Sequence, residues 1–313
     1  MKKSVHSSKT LEQLDCLGLG IMPLDFLFEI DDYPPAGGKR DATALTVQGG
    51  GPVPNVLVGL QRLGHSTALI TAVADDLAGK IGVKEIEREG VDTRFIVRKT
   101  TGQSLMAGGF VERGSGRRTI VLYRNIHLRP RDVVTLKLPI PRIVHLDGRD
   151  LKACIKLARW GRSVGATICF DIGSTRNDVS PILPLVDHLV VADAFALPFT
   201  GCRTARKALL RLRDCCPGTV VVTEGTKGSL GCEDDRIVRQ PAYRVSDVDT
   251  TGAGDAFHTG YIYGLLHGYD LAARMRFGAA TAALKCTRSG ARAGAPTLKQ
   301  VKDFLRRDPP TYA

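Results

Sequence analysis

The sequence predicts an α/β fold: a mainly parallel sheet covered by helices on both faces, carrying a small β-strand lid. Three observations predict it. Short apolar strand patterns alternate with helical patterns over most of the chain. Two early stretches, 25–47 and 103–124, break that rhythm with β patterns, Gly, Pro and polar turns, and no helix. Glycine-rich strings at 48–55 and 249–257 run directly into helical segments, a layout that suits ligand binding at the carboxyl edge of such a sheet.

In chain order, residues 14–21 read as a buried strand and 53–63 as a helix behind a glycine cluster. A strand over 68–74 and a helix over 75–89 follow. Residues 143–146 form a short strand, 151–164 an amphipathic helix and 167–171 another strand. The apolar runs 188–191 and 219–223 repeat the buried-strand pattern, with a helix over 204–213 between them. Two Ala-rich helices at 253–267 and 271–287 precede a last one at 298–306. Thr119-Ile120-Val121-Leu122-Tyr123, after Gly114-Ser115-Gly116-Arg117, looks like the second arm of a hairpin. The predicted organisation is therefore a disordered basic tail over 1–12, an α/β body of 13–24, 48–102 and 125–313, and a discontinuous lid of 25–47 and 103–124.

Composition narrows the function classes. With 43% hydrophobic and 24% charged residues the chain has ample core material, and no apolar run is long enough to span a bilayer. The basic start lacks the apolar stretch of a secretory signal, so a cytoplasmic protein is expected. Eight cysteines without C-x-x-C or paired His spacing read as buried reduced thiols. The formal charge of +12 is spread over helix faces, as with Lys152, Lys156, Arg159 and Arg162, without interleaved aromatic residues. Nucleic acid is therefore not an expected partner, whereas a basic field drawing in anionic nucleotides remains open. Gly18-Leu19-Gly20-Ile21-Met22-Pro23 lacks the third glycine and the helix of a dinucleotide fingerprint, which argues against a nicotinamide oxidoreductase.

The most informative string is Asp249-Thr250-Thr251-Gly252-Ala253-Gly254-Asp255-Ala256-Phe257. Free N–H groups at a helix N-terminus bind anions, and Gly lets a phosphate approach the main chain. A carboxylate there would repel phosphate, but it makes sense if Asp255 takes a proton from a hydroxyl while the amides of Gly252, Ala253 and Gly254 hold the phosphoryl group. A capped helix start uses the same residue types. Gln48-Gly49-Gly50-Gly51-Pro52-Val53-Pro54-Asn55 is the second constellation. Asn55 on a first helical turn offers a donor and an acceptor to a sugar hydroxyl, although a glycine turn with a cap also explains it.

Together, G-G-x-x-x-N early and D-T-x-G-A-G-D late resemble the paired signatures of the ribokinase-like (PfkB) carbohydrate kinases, and the resemblance runs from Gly18 to about Leu305. It implies a three-layer α/β/α sheet with a β lid, ATP as phosphoryl donor with Mg²⁺, a small-molecule sugar as acceptor and a homodimer through the lid. Asp25, Gly50, Gly51 and Asn55 match substrate-binding positions. Thr223-Glu224-Gly225-Thr226-Lys227-Gly228 matches the T-x-G-x-x-G turn that carries the nucleotide, placing Thr223, Gly225, Thr226 and Gly228 with Thr251, Gly252, Gly254 and Ala283 around ATP.

The resemblance also implies a K⁺ site from Asp249, the Thr251 carbonyl and carbonyls at Lys285, Arg288 and Gly290. The side-chain hydroxyl that the family often supplies at position 294 is here replaced by Gly294. The family's N-x-x-E reads Ala192-Asp193-Ala194-Phe195, so the Asn and Glu that route a metal or phosphate effect in the family are absent, with Asp193 as a partial substitute.

His145-Leu146-Asp147-Gly148-Arg149 resembles ketohexokinase-like and sulfosugar-kinase-like members more than nucleoside kinases, although their usual lid Asn is Leu122 here. Arg149 and Lys39 either read an anionic sugar substituent or stand as surface cations. A ketose or pentose accepting phosphate on a hydroxymethyl oxygen is the leading reading. An anionic sugar (sulfonated, acidic or phosphorylated), a nucleoside, or a non-catalytic sugar-binding regulator are the alternatives.

Overall fold

The computed structural model describes residues 14–114, 118–174 and 178–307. The expected tail over 1–12 and most of the expected hairpin turn, 115–117, lie outside the described residues.

The strands are β1 (Leu14–Leu19), β2 (Leu24–Ile30), β3 (Ala44–Gly49), β4 (Thr67–Ile70), β5 (Ala72–Ala74), β6 (Val97–Lys99) and β7 (Met106–Glu112), followed by β8 (Arg118–Tyr123), β9 (Pro141–Leu146), β10 (Thr167–Ile172), β11 (His188–Ala192), β12 (Thr219–Thr223), β13 (Ser229–Glu233) and β14 (Arg236–Gln240). The helices are α1 (Pro52–Arg62), α2 (Leu77–Arg88), α3 (Pro130–Val134), α4 (Leu151–Ser163), α5 (Asp193–Thr200), α6 (Ala205–Arg213), α7 (Ala253–Leu266), α8 (Leu271–Cys286) and α9 (Leu298–Arg307).

Eight strands make the main sheet in the order β14-β13-β12-β11-β10-β9-β1-β4. From β12 to β4 every pairing is parallel, while β13 and β14 close one edge as an antiparallel ribbon. Period-two alternation sends side chains to opposite layers. Leu17, Leu19, Val144, Leu146, Ile168, Leu189, Val191, Val220 and Val222 pack with α4 and α6 on one face. Cys16, Leu69, Ile143 and Cys169 pack with α1, α7 and α8 on the other. The three layers are those of an α/β/α sandwich.

The two stretches without helix form one separate four-stranded sheet, β3-β2-β7-β8. Its outer strands carry exposed apolar side chains, among them Leu45, Val47, Ile120 and Val121. The expected single strand over 68–74 is in fact two, β4 in the main sheet and β5 paired with β6, divided at Thr71. Of the eight cysteines, Cys16, Cys154, Cys169, Cys216 and Cys232 are buried, all eight are free thiols, and Cys215 is exposed. Among the described residues, no helix is long and apolar enough to cross a membrane.

Candidate active site

Strand order reverses at β1, which lies between β4 and β9, and ligands of open α/β sheets bind outside the carboxyl ends of the strands near such a point. A cavity of about 150 Å³ opens there. Its wall comes from the residues just after β9 (Asp147, Gly148, Arg149), the end of β10 (Asp171, Ile172) and the start of α7 (Gly254, Asp255, His258), with Thr223 of β12.

Helix α7 starts from Gly252, held at φ 74° in the left-handed region where Gly carries no steric penalty. That turn exposes the Gly254 amide and sets Asp255 in the first helical turn. A Cβ on Gly252 would stand 3.5 Å from Asp255 Oδ2, so carboxylate and turn are immediate neighbours. Among the described residues, neither the Gly252 nor the Gly254 amide has a protein acceptor. Ala253 corrects the expectation: its N–H donates to the Thr250 carbonyl at 3.1 Å inside the turn. Two of the three expected anion-hole amides are therefore available.

Asn55 Nδ2 donates to Asp255 Oδ2 at 2.6 Å, joining residues 200 positions apart. Asn55 Oδ1 in turn accepts from Arg292 Nε at 3.0 Å. The same buried guanidinium donates to the Gly50 carbonyl at 2.5 Å and lies 3.3 Å from Glu85 Oε2. Gly50 is pressed against Asp25, whose Oδ2 a Cβ at Gly50 would meet at 2.4 Å. Gly51 has φ 100°, and a Cβ there would overlap the Ile21 carbonyl oxygen at 2.1 Å. Asp25, Gly50, Gly51, Asn55 and Asp255 are thus brought together, with Arg292 as the keystone that the sequence reading missed. Arg292 lies in a short loop without periodicity, and its partners are up to 242 residues away.

Burial, above all, and then the Asp171 charge push the Asp255 carboxyl up to about 7, against the Asn55 hydrogen bond. Burial also lifts Asp25 to about 6, with Arg292 opposing and Glu85 assisting. Asp147 rises to about 6 for the same first reason, although the amides of Ile21 and Arg149 donate to it. Behind Asp255, His258 Nε2 lies 3.2 Å from Asp171 Oδ1. His145 packs beside that pair, and burial holds it down to about 3, so it stays neutral. Among the described residues, His145, Asp171 and His258 are the group whose ligand atoms lie close enough together, within 4.8 Å, to hold a metal ion. His258 and Asp171 also escaped the sequence reading. The usable signal was His258 standing three residues after Asp255, on the same helix face.

The nucleotide-side candidates divide. Thr223 lines the cavity, while Gly225 and Thr226 lie on the exposed turn between β12 and β13. Gly228, at φ 94°, packs against the Gln240 carbonyl, and Ala283 is buried on α8. Arg149 lines the cavity. Lys39 is exposed on the connection between β2 and β3 and takes no part in the cavity wall.

Asp249 organises the expected K⁺ region. Its Oδ1 accepts from Thr251 N at 2.8 Å and Thr251 Oγ1 at 2.5 Å, and its Oδ2 accepts from Gly290 N at 2.8 Å. Burial works to raise Asp249, but these bonds and the Lys285 charge bring it net below the usual carboxylate value. Arg118 of β8 donates to Thr251 Oγ1. The Lys285 side chain, fully buried, turns into the same region and donates from Nζ to the Asp249 carbonyl at 2.5 Å. The residues therefore do not fit a K⁺ ion, because a fixed cation already stands on Asp249.

A profile of the pfkB family carbohydrate kinases matches residues 12–298. The chain is 24% identical to 5-dehydro-2-deoxygluconokinase of Clostridium perfringens over 96% of this chain and 95% of that protein. Ribokinase from Thermotoga maritima superposes with a TM-score of 0.81 at 24% identity, over 94% of this chain and 99% of that one. Arabidopsis thaliana ribokinase complexed with ribose and ATP gives a TM-score of 0.81 at 21% identity, over 94% of this chain and 99% of that one. The two structures speak for the three-layer fold. The profile spans all the strands and all the cavity residues, and on that ground the chain belongs to the pfkB family of carbohydrate kinases, enzymes that transfer a phosphoryl group to an alcohol.

Proposed function

We propose that this kinase transfers the γ-phosphoryl group of ATP to a hydroxymethyl oxygen of a ketose or pentose, with Asp255 as general base. The observation that carries the reading is a carboxylate held near neutrality, beside two unoccupied main-chain donors at the head of α7. A base of that strength is half ionised near neutral pH and still accepts a proton readily. Asn55 Nδ2 orients the carboxylate, and Arg292 orients Asn55. As the hydroxyl oxygen attacks the γ-phosphorus, its proton passes to Asp255. The bond to the β-γ bridging oxygen breaks and ADP leaves with that electron pair. The Gly252 and Gly254 amides, at the positive end of the helix, stabilise the phosphoryl oxygens.

Asp25, with Gly50 and Gly51, is assigned to the sugar hydroxyls. Thr223, Gly225, Thr226, Gly228 and Ala283 are assigned to the nucleotide. Mg²⁺ carried by ATP would supply neutralisation of the phosphate charge there. The small sheet acts as a lid that excludes water, and its exposed apolar outer strands are the surface through which a homodimer would form.

Arg149 supports a second reading, a sugar bearing a sulfonate, carboxylate or phosphate, because it lines the cavity where Lys39 does not. ADP release over a panel of neutral ketoses, pentoses and their anionic counterparts tests both readings. Release with neutral sugars supports the first and release only with anionic sugars the second. Silence across the whole panel removes the sugar-kinase assignment.

A further inference from the structure

Lys285 is an unusual side chain to bury. It lies on the last turn of α8 and is fully inaccessible, yet it faces the loop that shapes the anion hole. Its Nζ donates to the Asp249 carbonyl at 2.5 Å and stands 3.6 Å from Asp249 Oδ2. Asp249 is also the residue that fixes the Thr251 amide and hydroxyl and the Gly290 amide. The ammonium therefore holds Asp249, and Asp249 in turn ties together two loops, 249–252 and 288–294.

The opposite wall explains how the lysine fits. A Cβ on Gly294 would lie 3.2 Å from Lys285 Cε, 2.7 Å from the Gly290 carbonyl oxygen and 3.2 Å from the Arg288 carbonyl oxygen. Position 294 is thus bare where the lysine stem passes, and carbonyl oxygens gather on the same spot. A side-chain hydroxyl at 294 and an extended Lys285 compete for one space. Carbonyls, a carboxylate and no room for a second cation describe a monovalent-cation site filled from within.

We propose that the Lys285 ammonium is a built-in substitute for a bound monovalent cation, holding the 249–252 turn in the shape that presents the Gly252 and Gly254 amides. The proposal rests on the phosphoryl-binding role assigned to that turn under the proposed function. Two cations on one carboxylate in a partly buried site repel strongly, so a K⁺ ion would have to displace the lysine. The enzyme is accordingly indifferent to which monovalent ion surrounds it, and Lys285 is a positioning residue that touches neither sugar nor nucleotide.

The test uses the full chain in equal concentrations of KCl, NaCl and choline chloride, with two readouts. Thermal melting with and without a non-hydrolysable ATP analogue needs no sugar, so it remains informative even if no tested sugar is phosphorylated. Steady-state ADP release with any accepted sugar gives kcat and the KM for ATP. Wild-type values that coincide in the three salts are expected; a melting shift or rate increase specific to K⁺ overturns the proposal. Lys285→Met is expected to lose at least about tenfold in kcat and to regain activity with KCl or NH4Cl but not with choline chloride. Full activity in that variant, or a loss that no cation restores, overturns it equally. Should Lys285→Met fail to fold, the wild-type ion series decides alone.

Discussion

At the scale of single residues, the contest that matters is between burial and the helix end at Asp255. A carboxylate in a first helical turn is stabilised by about 0.3–1 kcal/mol, which would lower its pKa. Burial beside Asp171 acts the other way and prevails, leaving the group at about 7. Two outcomes follow. kcat/KM for the sugar falls close to tenfold per pH unit below about 7 and levels off above it. A flat profile across that range would show that Asp255 is not the base. Asp255→Asn loses turnover by about 10²–10⁴-fold while still binding ATP in a fluorescence titration. The same substitution reports on stability. Because the folded pKa lies above the unfolded one, Asp255 gives its full stabilisation below pH about 4 and loses it as pH rises through about 7. The unfolding free energy of Asp255→Asn relative to wild type, read from urea melts at each pH, should therefore climb between those pH values, by at most about 1.4 kcal/mol per pH unit. An unchanging difference would mean that the carboxyl is not buried as described.

At the scale of elements, α7 and α8 pack closely through Gly260. A Cβ there would lie 2.5 Å from Thr281 Oγ1 and 2.7 Å from the Phe277 carbonyl oxygen. Ala has the better helix propensity by about 1 kcal/mol, but a backbone oxygen cannot rotate away. Gly260→Ala should therefore be destabilised by about 1–3 kcal/mol in urea unfolding; a neutral or stabilising result would show that the two helices separate freely. Most helices, most strands of the main sheet and the glycine turns were legible because they are periodic or carry distinct turn residues. Several elements were not, α3 and β6 among them, and three others show why. Helix α5 contains Pro198 and spans a short apolar stretch, which periodicity cannot tell from a strand. The β13–β14 hairpin turns through Asp234 and Asp235, both at positive φ, without the usual glycine. Thr71 splits one apolar run between two sheets, a decision taken by tertiary pairing rather than by local sequence. In the site, the motif residues were legible and their supports, Arg292, Glu85 and Asp171, were not. Motifs record what chemistry needs at one turn, whereas supports depend on which loops meet in space.

At the scale of the whole molecule, the charge of +12 sets a field that would draw in the polyanionic nucleotide of the proposed function. Surface charges are screened beyond about 8 Å at physiological ionic strength. Raising NaCl should therefore increase the KM for ATP while leaving that for a neutral sugar nearly unchanged. Equal sensitivity of both constants would assign the basic excess to solvated helix faces alone.

The bonds from Asn55 to Asp255 and from Arg292 back to Gly50 close the site with partners drawn from opposite ends of the chain. Biosynthesis therefore assembles it backwards. Asp25, Gly50 and Asn55 leave the ribosome first and wait, without Asp255 or Arg292, until the final helices have emerged. Under the proposed function, a half-made chain therefore lacks the group that takes the acceptor's proton, and phosphoryl transfer waits for the completed fold.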